Sequence, residues 1–447
     1  MNPEGRTLDT RSIERLLDNA SGITHICYDV CDRNCVCYAA YPDLQACPAC
    51  HLPRHRPNGK PWHTFDYIPI IHRIRLQMAD RRLAKKIWKY PNRLMETRTE
   101  NPDLIWDIWD RKLCDHLQCT GLLNIRCSDL GFLFSTDGVK LFNRGYFSVW
   151  PLLIVNYNLP PNERVKEENL ILAGVIPGPN QPADMNSFLR PLINKFHTLE
   201  KGISVWDAYR QQDRMLWGFL FTIAGDQLVR EKLMSILGQN TKYYCDYCKI
   251  KGVWNRHNYC CFTTPTDAPD EVLRHVTDPL KLPLRTNTEH RKDAHSIMNT
   301  NDKEYREQTG IKELSIFLEL ESVVFPWSFG IDIMHLLYEN IMKQMFNHWR
   351  GKFFIHEKTE ETGSKPQKFK QSGEPYCIPK AIWLQVGEAM KRSQHTFPGL
   401  FGDAVRSISD WSHGYKAVEW KNWTILFSPV LLAGWLHEVS SKVIADY

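Results

Sequence analysis

Two long apolar runs in this chain each stop on an aspartate. Gly131 to Phe142 reads "GFLFSTDGVKLF", and Arg214 to Asp226 reads "RMLWGFLFTIAGD". Each run has the composition of a core strand, so the acid that ends it is carried to the tip of a buried, rigid element. Asp137 then has two readings. Asp-Gly between β-prone flanks is the strongest short-range hairpin signal, in which case the carboxylate serves only a turn. The other reading is that the acid sits at a strand end to hold a metal ion.

At 447 residues, 43% hydrophobic and 24% charged, the chain has the material for two or three globular domains. No run is long and apolar enough to span a bilayer, and the charged N-terminus lacks the apolar stretch of a secretory signal, which predicts a soluble, intracellular protein. Fourteen cysteines, several of them two residues apart, then read as metal ligands rather than disulfides. The net charge of +5 diagnoses no partner. Its distribution says more: basic residues outnumber Asp66 and Asp80 between Arg54 and Arg93, which reads as a phosphate-facing patch or a solvated helix face.

Residues 1–54 read as an N-terminal helix and a Cys-rich zinc knuckle. Residues 55–125 read as a basic helical segment, in which Ile70, Ile74, Met78, Leu83 and Ile87 recur at helical spacing and Pro91 closes the helix. Over 126–248, three strands, a helix capped by Asp184, a fourth strand ending at Asp226 and a second helix make the first part of an α/β core. Residues 249–410 read as a helical insertion with mobile loops, near Thr286 to Thr309 and in "HEKTEETGSKPQKFKQSGEP", and 411–447 as a C-terminal helix.

Phosphodiester hydrolysis or transfer needs charge stabilisation at both the attacking and the leaving oxygen, which two divalent ions clamped by acidic side chains supply. Mg²⁺ needs only a few protein carboxylates, and acids on neighbouring strand ends give the required rigidity. Asp137 and Asp226 meet that requirement. Cys31, Cys35, Cys47 and Cys50 have near zinc-ribbon spacing, with Cys27, Cys37 and His51 as possible substitutes. Cys245 and Cys248 form half a second site, for which His257 with Cys260 or Cys261 is the local completion.

In shared order, "STDGVKLF", "SVWPLLIVNYNLPP", "IPGPNQPADMNSFLRPLI", the strand ending at Asp226, "CDYC" and "DIMH" resemble the transposases of the CACTA (En/Spm) superfamily, and "CDRNCVCYAAYPDLQACPACHLPR" resembles the Cys-rich segment before that core. The resemblance runs from about Tyr28 to Trp435. It implies an RNase H-like fold with an Asp-Asp-Glu triad that cuts DNA and joins the freed 3′ end to a target, using Mg²⁺ or Mn²⁺. Asp137 matches the first acid in its T-D-G context. Asp226 matches the second, although the family more often follows that Asp with an aromatic-Pro pair than with "QLV". Glu419 in "GYKAVEWKNW" resembles the third, with Glu339 in "LLYENIM" as its rival, and an inserted helical domain would account for its distance along the chain. The resemblance also implies that Asp332 and His335 complete a zinc site with Cys245 and Cys248.

The leading expectation is thus a nuclear, homo-oligomeric DDE transposase acting on double-stranded DNA at transposon ends and target. Arg54, Arg56, Arg81, Arg82, Lys85 and Lys86 would contact phosphates. Similar transposases usually continue beyond a helix like the one reaching Tyr447, so the expectation includes an inactive or truncated copy. The alternative is a transposase descendant with lapsed catalysis, retained as a zinc-stabilised DNA- or protein-binding protein.

Overall fold

A computed structural model describes residues 24–101, 104–124, 129–140, 148–255, 258–260, 279–352 and 376–435. The expected N-terminal helix, His257, Cys261 and the polar loop 356–375 lie outside these residues. The chain divides into two compact units, Met1–Gly330 and Ile331–Tyr447. Among the described residues no helix is long and apolar enough to cross a membrane.

The first unit is a mixed α/β structure built on one sheet. In chain order its strands are β1 (Ile26–Val30), β2 (His63–Tyr67), β3 (Leu130–Ser135), β4 (Val139–Lys140), β5 (Ser148–Asn156) and β6 (Ile171–Ile176). A separate hairpin, β7 (Ile203–Asp207) and β8 (Gln212–Leu216), precedes β9 (Gly218–Ala224). A second small hairpin, β10 (Val253–Asn255) and β11 (Asn258–Cys260), precedes β12 (Phe329–Gly330). The sheet order is β1-β2-β6-β5-β3-β9-β12, with β4 also on β5. The pairs up to β3 are antiparallel, whereas β3–β9 and β9–β12 are parallel.

Apolar side chains cover both faces of the centre, which is why β3 and β9 read as continuous apolar runs rather than alternating ones. On one face, helix Met185–Lys201 buries Phe188, Leu192, Phe196 and Leu199, and Phe196 meets Phe132 edge-on at 5.9 Å between ring centres. Its N-terminus is capped as expected, with Asp184 Oδ1 accepting from Ser187 N at 3.2 Å, and it stops at Gly202, whose φ of +93° suits glycine. On the other face, Phe219 and Phe221 join Trp109, Leu94, Cys114 and Leu117.

Three expectations are corrected. The first is the hairpin at Asp137-Gly138. Ser135 pairs with Leu153 and Val139 with Val149, both antiparallel to β5 and in one unbroken register, so β4 continues β3 and the chain does not reverse. Asp137 falls opposite Pro151, which has no N–H to give the ladder, and the interruption is local.

The second is the basic helix. It is two helices, Ile70–Ala79 and Arg81–Glu100, broken at Asp80, whose carboxylate accepts from Arg82 N and Leu83 N at 2.8 Å each. Pro91 lies inside the second helix rather than closing it. Asn92 Nδ2 donates to the Trp88 carbonyl at 2.9 Å beside the proline break, and burial of Pro91 and Leu94 holds the helix across it.

The third is the mobile portion. Thr286 to Thr309 is ordered as helices Asn287–Thr300 and Lys303–Thr309, capped by Thr286 and Asp302. What anchors the first is a buried aromatic contact that polar composition conceals: His290, 3% exposed, stacks on Phe325 at 4.4 Å.

The second unit is helical. It includes a π-helical segment Met334–Met342 and helices Lys343–Trp349, Lys380–Ser393 and Ala417–Asn422. They bury an aromatic core of Phe346, Trp349, Trp383, Trp420 and Trp423.

His290 makes stability pH-dependent. Neither ring nitrogen has a hydrogen-bond partner among the described residues, and burial, with Arg285, Arg291 and Lys249 adding, lowers its pKa to about 3. A base whose folded pKa is depressed contributes stability above its unfolded pKa near 6.5 that is lost as pH falls towards the folded value. Urea unfolding at pH 7 and pH 5 should differ by about 2 kcal/mol through this group. His290→Leu should remove that part of the dependence.

Candidate active site and zinc centre

The β3–β9 ladder sets the two aspartates. Phe132 faces Leu220, but Leu133 faces Thr222, so Phe221 is an extra residue in β9, a β-bulge. From there the pairing runs to Ser135 opposite Ala224. Asp137 and Asp226 each lie two residues further on. They therefore have the same offset just past the paired C-terminal ends of adjacent parallel strands. Without the bulge, Asp137 would stand opposite Gly225.

The loops that carry the acids adjoin. A Cβ placed on Gly225 would lie 3.6 Å from the Thr136 carbonyl oxygen, an ordinary contact, but 2.6 Å from Val229 Cγ1, so glycine is needed here for the close packing of the helix that starts at Gln227. Asp137 is exposed, and its Oδ1 accepts from Gly138 N at 2.6 Å. Asp226 is half-buried and caps helix Gln227–Met234, its Oδ1 accepting from Val229 N at 2.7 Å. Both bonds engage Oδ1, which leaves Oδ2 of each acid for a cation among the described residues. An all-oxygen donor pair of this kind suits a hard ion such as Mg²⁺ or Mn²⁺.

Lys232 and Trp150 flank the pair and gave no signal in the sequence. The Trp150 ring lies beneath the Asp137–Gly138 link, with Cζ2 3.1 Å from where a Gly138 Cβ would be. Lys232 Nζ sits 5.2 Å above the same ring and donates to Gln181 Oε1. Burial lowers the Lys232 pKa, against the opposing field of Asp226.

The remaining acids belong to the second unit. Glu419 Oε1 accepts from Arg406 Nε at 2.7 Å, and Oε2 from Arg406 Nη2 at 2.6 Å and Lys416 N at 2.9 Å. The Arg406 guanidinium holds its carboxyl below the usual range. Glu339 Oε2 lies 4.0 Å from His335 Nε2, while His335 Nδ1 is 2.6 Å from Asp332 Oδ2.

Of the cysteine ligands, Cys31, Cys35, Cys47 and Cys50 converge, their sulfurs all within 4.8 Å of one another. Two tight turns present them: Asn34 N donates to the Cys31 carbonyl at 2.8 Å and His51 N to the Cys47 carbonyl at 2.9 Å, with Asn34 and His51 in the left-handed region at φ 60° and 59°. Burial pushes the Cys31 thiol up to about 11. Four thiols in so small a space with Cys31 Sγ 3.4 Å from Cys50 Sγ are the donor set of tetrahedral zinc, and this cluster can hold that ion. Cys37 is no substitute ligand but a buried core residue whose N–H donates to Ser187 Oγ. Cys245 and Cys248 share a hydrogen bond that lowers Cys245 to about 6 and raises Cys248.

The basic patch divides. Arg54 is committed inside the unit, with Nε on Asp29 Oδ2 at 2.7 Å and its guanidinium 4.7 Å over Tyr38. Arg56 folds over Trp62, and Lys86 pairs with Glu163 at 2.9 Å. Arg81, Arg82 and Lys85 are exposed on one helix.

Against this geometry, residues 123–263 match the model of a family described as Transposase family tnp2. The match supports a transposase family for this chain. The matched segment contains Asp137, Asp226, Cys245 and Cys248, and the four converging cysteines precede it. No curated protein matches the chain.

The bulge depends on Gly131, where a Cβ would come within 2.3 Å of Phe221 Cε2. Phe221 is itself fixed edge-on against Trp109 at 5.3 Å. Gly131→Ala should therefore cost roughly 1–3 kcal/mol in urea unfolding, the range for overpacking a filled core. An unchanged midpoint would mean that Phe221 is free to move and does not fix the register.

Proposed function

We propose that this chain is a metal-dependent DNA-cleaving and strand-transferring enzyme of the CACTA (En/Spm) transposase type, with an RNase H-like core. The observation that carries the proposal is the equal offset of Asp137 and Asp226 just past the paired ends of adjacent parallel strands within the segment similar to transposases. The sheet, an antiparallel set extended by two parallel strands, supports the RNase H-like reading.

Asp137 and Asp226 would hold Mg²⁺ or Mn²⁺, which supplies charge stabilisation at the attacking and leaving oxygens of a phosphodiester. The chain's own part is positional. The bulge at Phe221 puts Asp137 and Asp226 at the same offset beyond the last β3–β9 pair, Gly225 lies next to the Thr136 carbonyl, and Trp150 supports the Asp137 loop from below. The four-cysteine cluster would hold structural zinc. Action in the nucleus and assembly as a homo-oligomer on double-stranded DNA belong to the same proposal.

Two glutamates compete as third acid. A cation at Glu419 would have to displace the Arg406 guanidinium and break the bond to Lys416 N. Among the described residues Glu339 has no such bidentate arginine, its Oε2 lying 4.0 Å from His335 Nε2. That difference gives Glu419 a structural part and leaves Glu339 as the other acid to test.

The proposal predicts that Asp137→Asn and Asp226→Asn fold and bind DNA but lose Mg²⁺-dependent nicking of the element's ends by at least 100-fold, because a carboxamide lacks the charge the ions need. Glu339→Gln should match that loss. Glu419→Gln should instead lower the melting temperature while nicking per folded molecule persists. Full nicking by a folded Asp137→Asn protein would leave only a zinc-stabilised binding protein.

DNA binding by the helix Arg81–Glu100 would be to phosphates, with a strength that falls with salt. Charge reversal at Arg81, Arg82 and Lys85 should flatten the slope of log K against log salt by about 2–3, near 0.9 for each phosphate that is no longer neutralised. Reversal at Arg54 should leave that slope alone and destabilise the knuckle.

A further inference from the structure

Cys27 lies apart from the four-cysteine cluster and meets other ligand-bearing side chains. In the β1–β2 ladder it stands directly opposite Asp66, and its Sγ donates to Asp66 Oδ1 at 3.0 Å. His25, two residues earlier, falls on the same face of the extended chain, because side chains alternate along a strand. One ligand atom from each of His25, Cys27 and Asp66 lies within 4.8 Å of the other two, and all three side chains are exposed.

We propose that His25, Cys27 and Asp66 form a mononuclear zinc site, separate from the four-cysteine centre, with a fourth coordination position open to water. The donor set selects the ion. Imidazole nitrogen and thiolate sulfur disfavour Mg²⁺ and Ca²⁺, while nitrogen, sulfur and carboxylate oxygen together suit zinc. Zinc bonds of 2.0–2.3 Å put tetrahedral donors roughly 3.3–3.8 Å apart. The Cys27–Asp66 pair, at 3.0 Å, needs to open only by a few tenths of an ångström, and a rotation of the exposed His25 side chain would complete the set.

Binding is a simple exchange. The Cys27 thiol releases its proton to water as the Sγ–Zn bond forms, and Asp66 passes from hydrogen-bond acceptor to ligand without any redox change. Asp66 raises the Cys27 thiol to about 11, so the metal must supply the driving force for that release. The consequence is structural. β1 is an edge strand held by a ladder of five pairs, and the ion would staple it to β2 while fixing the chain at His25.

The test is zinc content of the full chain, equilibrated with zinc chloride at micromolar buffered free metal, followed by cobalt substitution. Cys27→Ser, His25→Ala and Asp66→Asn should each hold one equivalent less than the parent, with affinity at that site at least tenfold weaker. Cys47→Ser should lose a different equivalent, and the double variant Cys27→Ser with Cys47→Ser should lose both. In the cobalt form, Cys27→Ser should weaken the thiolate charge-transfer band without abolishing it. Equal metal content in the parent and the three variants overturns the proposal. So does a Cys27→Ser protein that also empties the four-cysteine centre, since the two would then not be separate sites.

Discussion

The parallel ladder between β3 and β9 is the contact on which the rest of the first unit depends. It is buried on both faces, against Phe196 on one side and Trp109 on the other, so its register cannot slip without moving both layers. One extra residue, Phe221, advances β9 by a single step relative to β3. That step is what gives Asp226 the same offset as Asp137. Bulges are local irregularities, but here the local change decides which residue beyond β9 shares the offset of Asp137.

The cysteine cluster is tied into the same core through hydrogen bonds of side chains and backbone. Asn34 Nδ2 donates to the Pro177 and Asn180 carbonyls at 2.8 and 2.6 Å, and Asp184 N donates to the Cys35 carbonyl at 2.9 Å. Asp184 also accepts from Tyr41 while capping the helix Met185–Lys201. A metal held by Cys31, Cys35, Cys47 and Cys50 would thus stiffen the N-terminus of the helix whose Phe196 packs under β3. Too short to build its own core, the knuckle borrows that of the sheet.

Some of this was legible in the sequence because it follows from local pattern. The apolar run before Asp137, the Asp184 cap and the spacing of four cysteines reached their expected elements or cluster, whereas the run read as one strand from Arg214 divides at Trp217, its start in β8 of the separate hairpin and only Gly218–Ala224 in the main sheet. What failed depended on partners distant in the chain. Asp-Gly signals a turn, but Pro151 opposite it and the single register kept with β5 on both sides make it an interruption in one strand. Pro91 reads as a stop, yet burial of its helix face outweighs one missing hydrogen bond. Thr286 to Thr309 reads as polar and mobile because its anchor, Phe325 against His290, comes from another segment. The bulge at Phe221 had no signal except Gly131, whose meaning appears only when the two strands are side by side.

If the β3–β9 register builds a cation site from Asp137 and Asp226, the ion should be visible there. A crystal structure of the full chain grown with Mn²⁺, read by anomalous scattering at the manganese edge, tests this without recourse to activity. The expected result is a peak within about 2.2 Å of an oxygen of both carboxylates, with the bulge at Phe221 intact. Carboxylates turned away from each other, with manganese absent there and bound elsewhere in the chain, would contradict it.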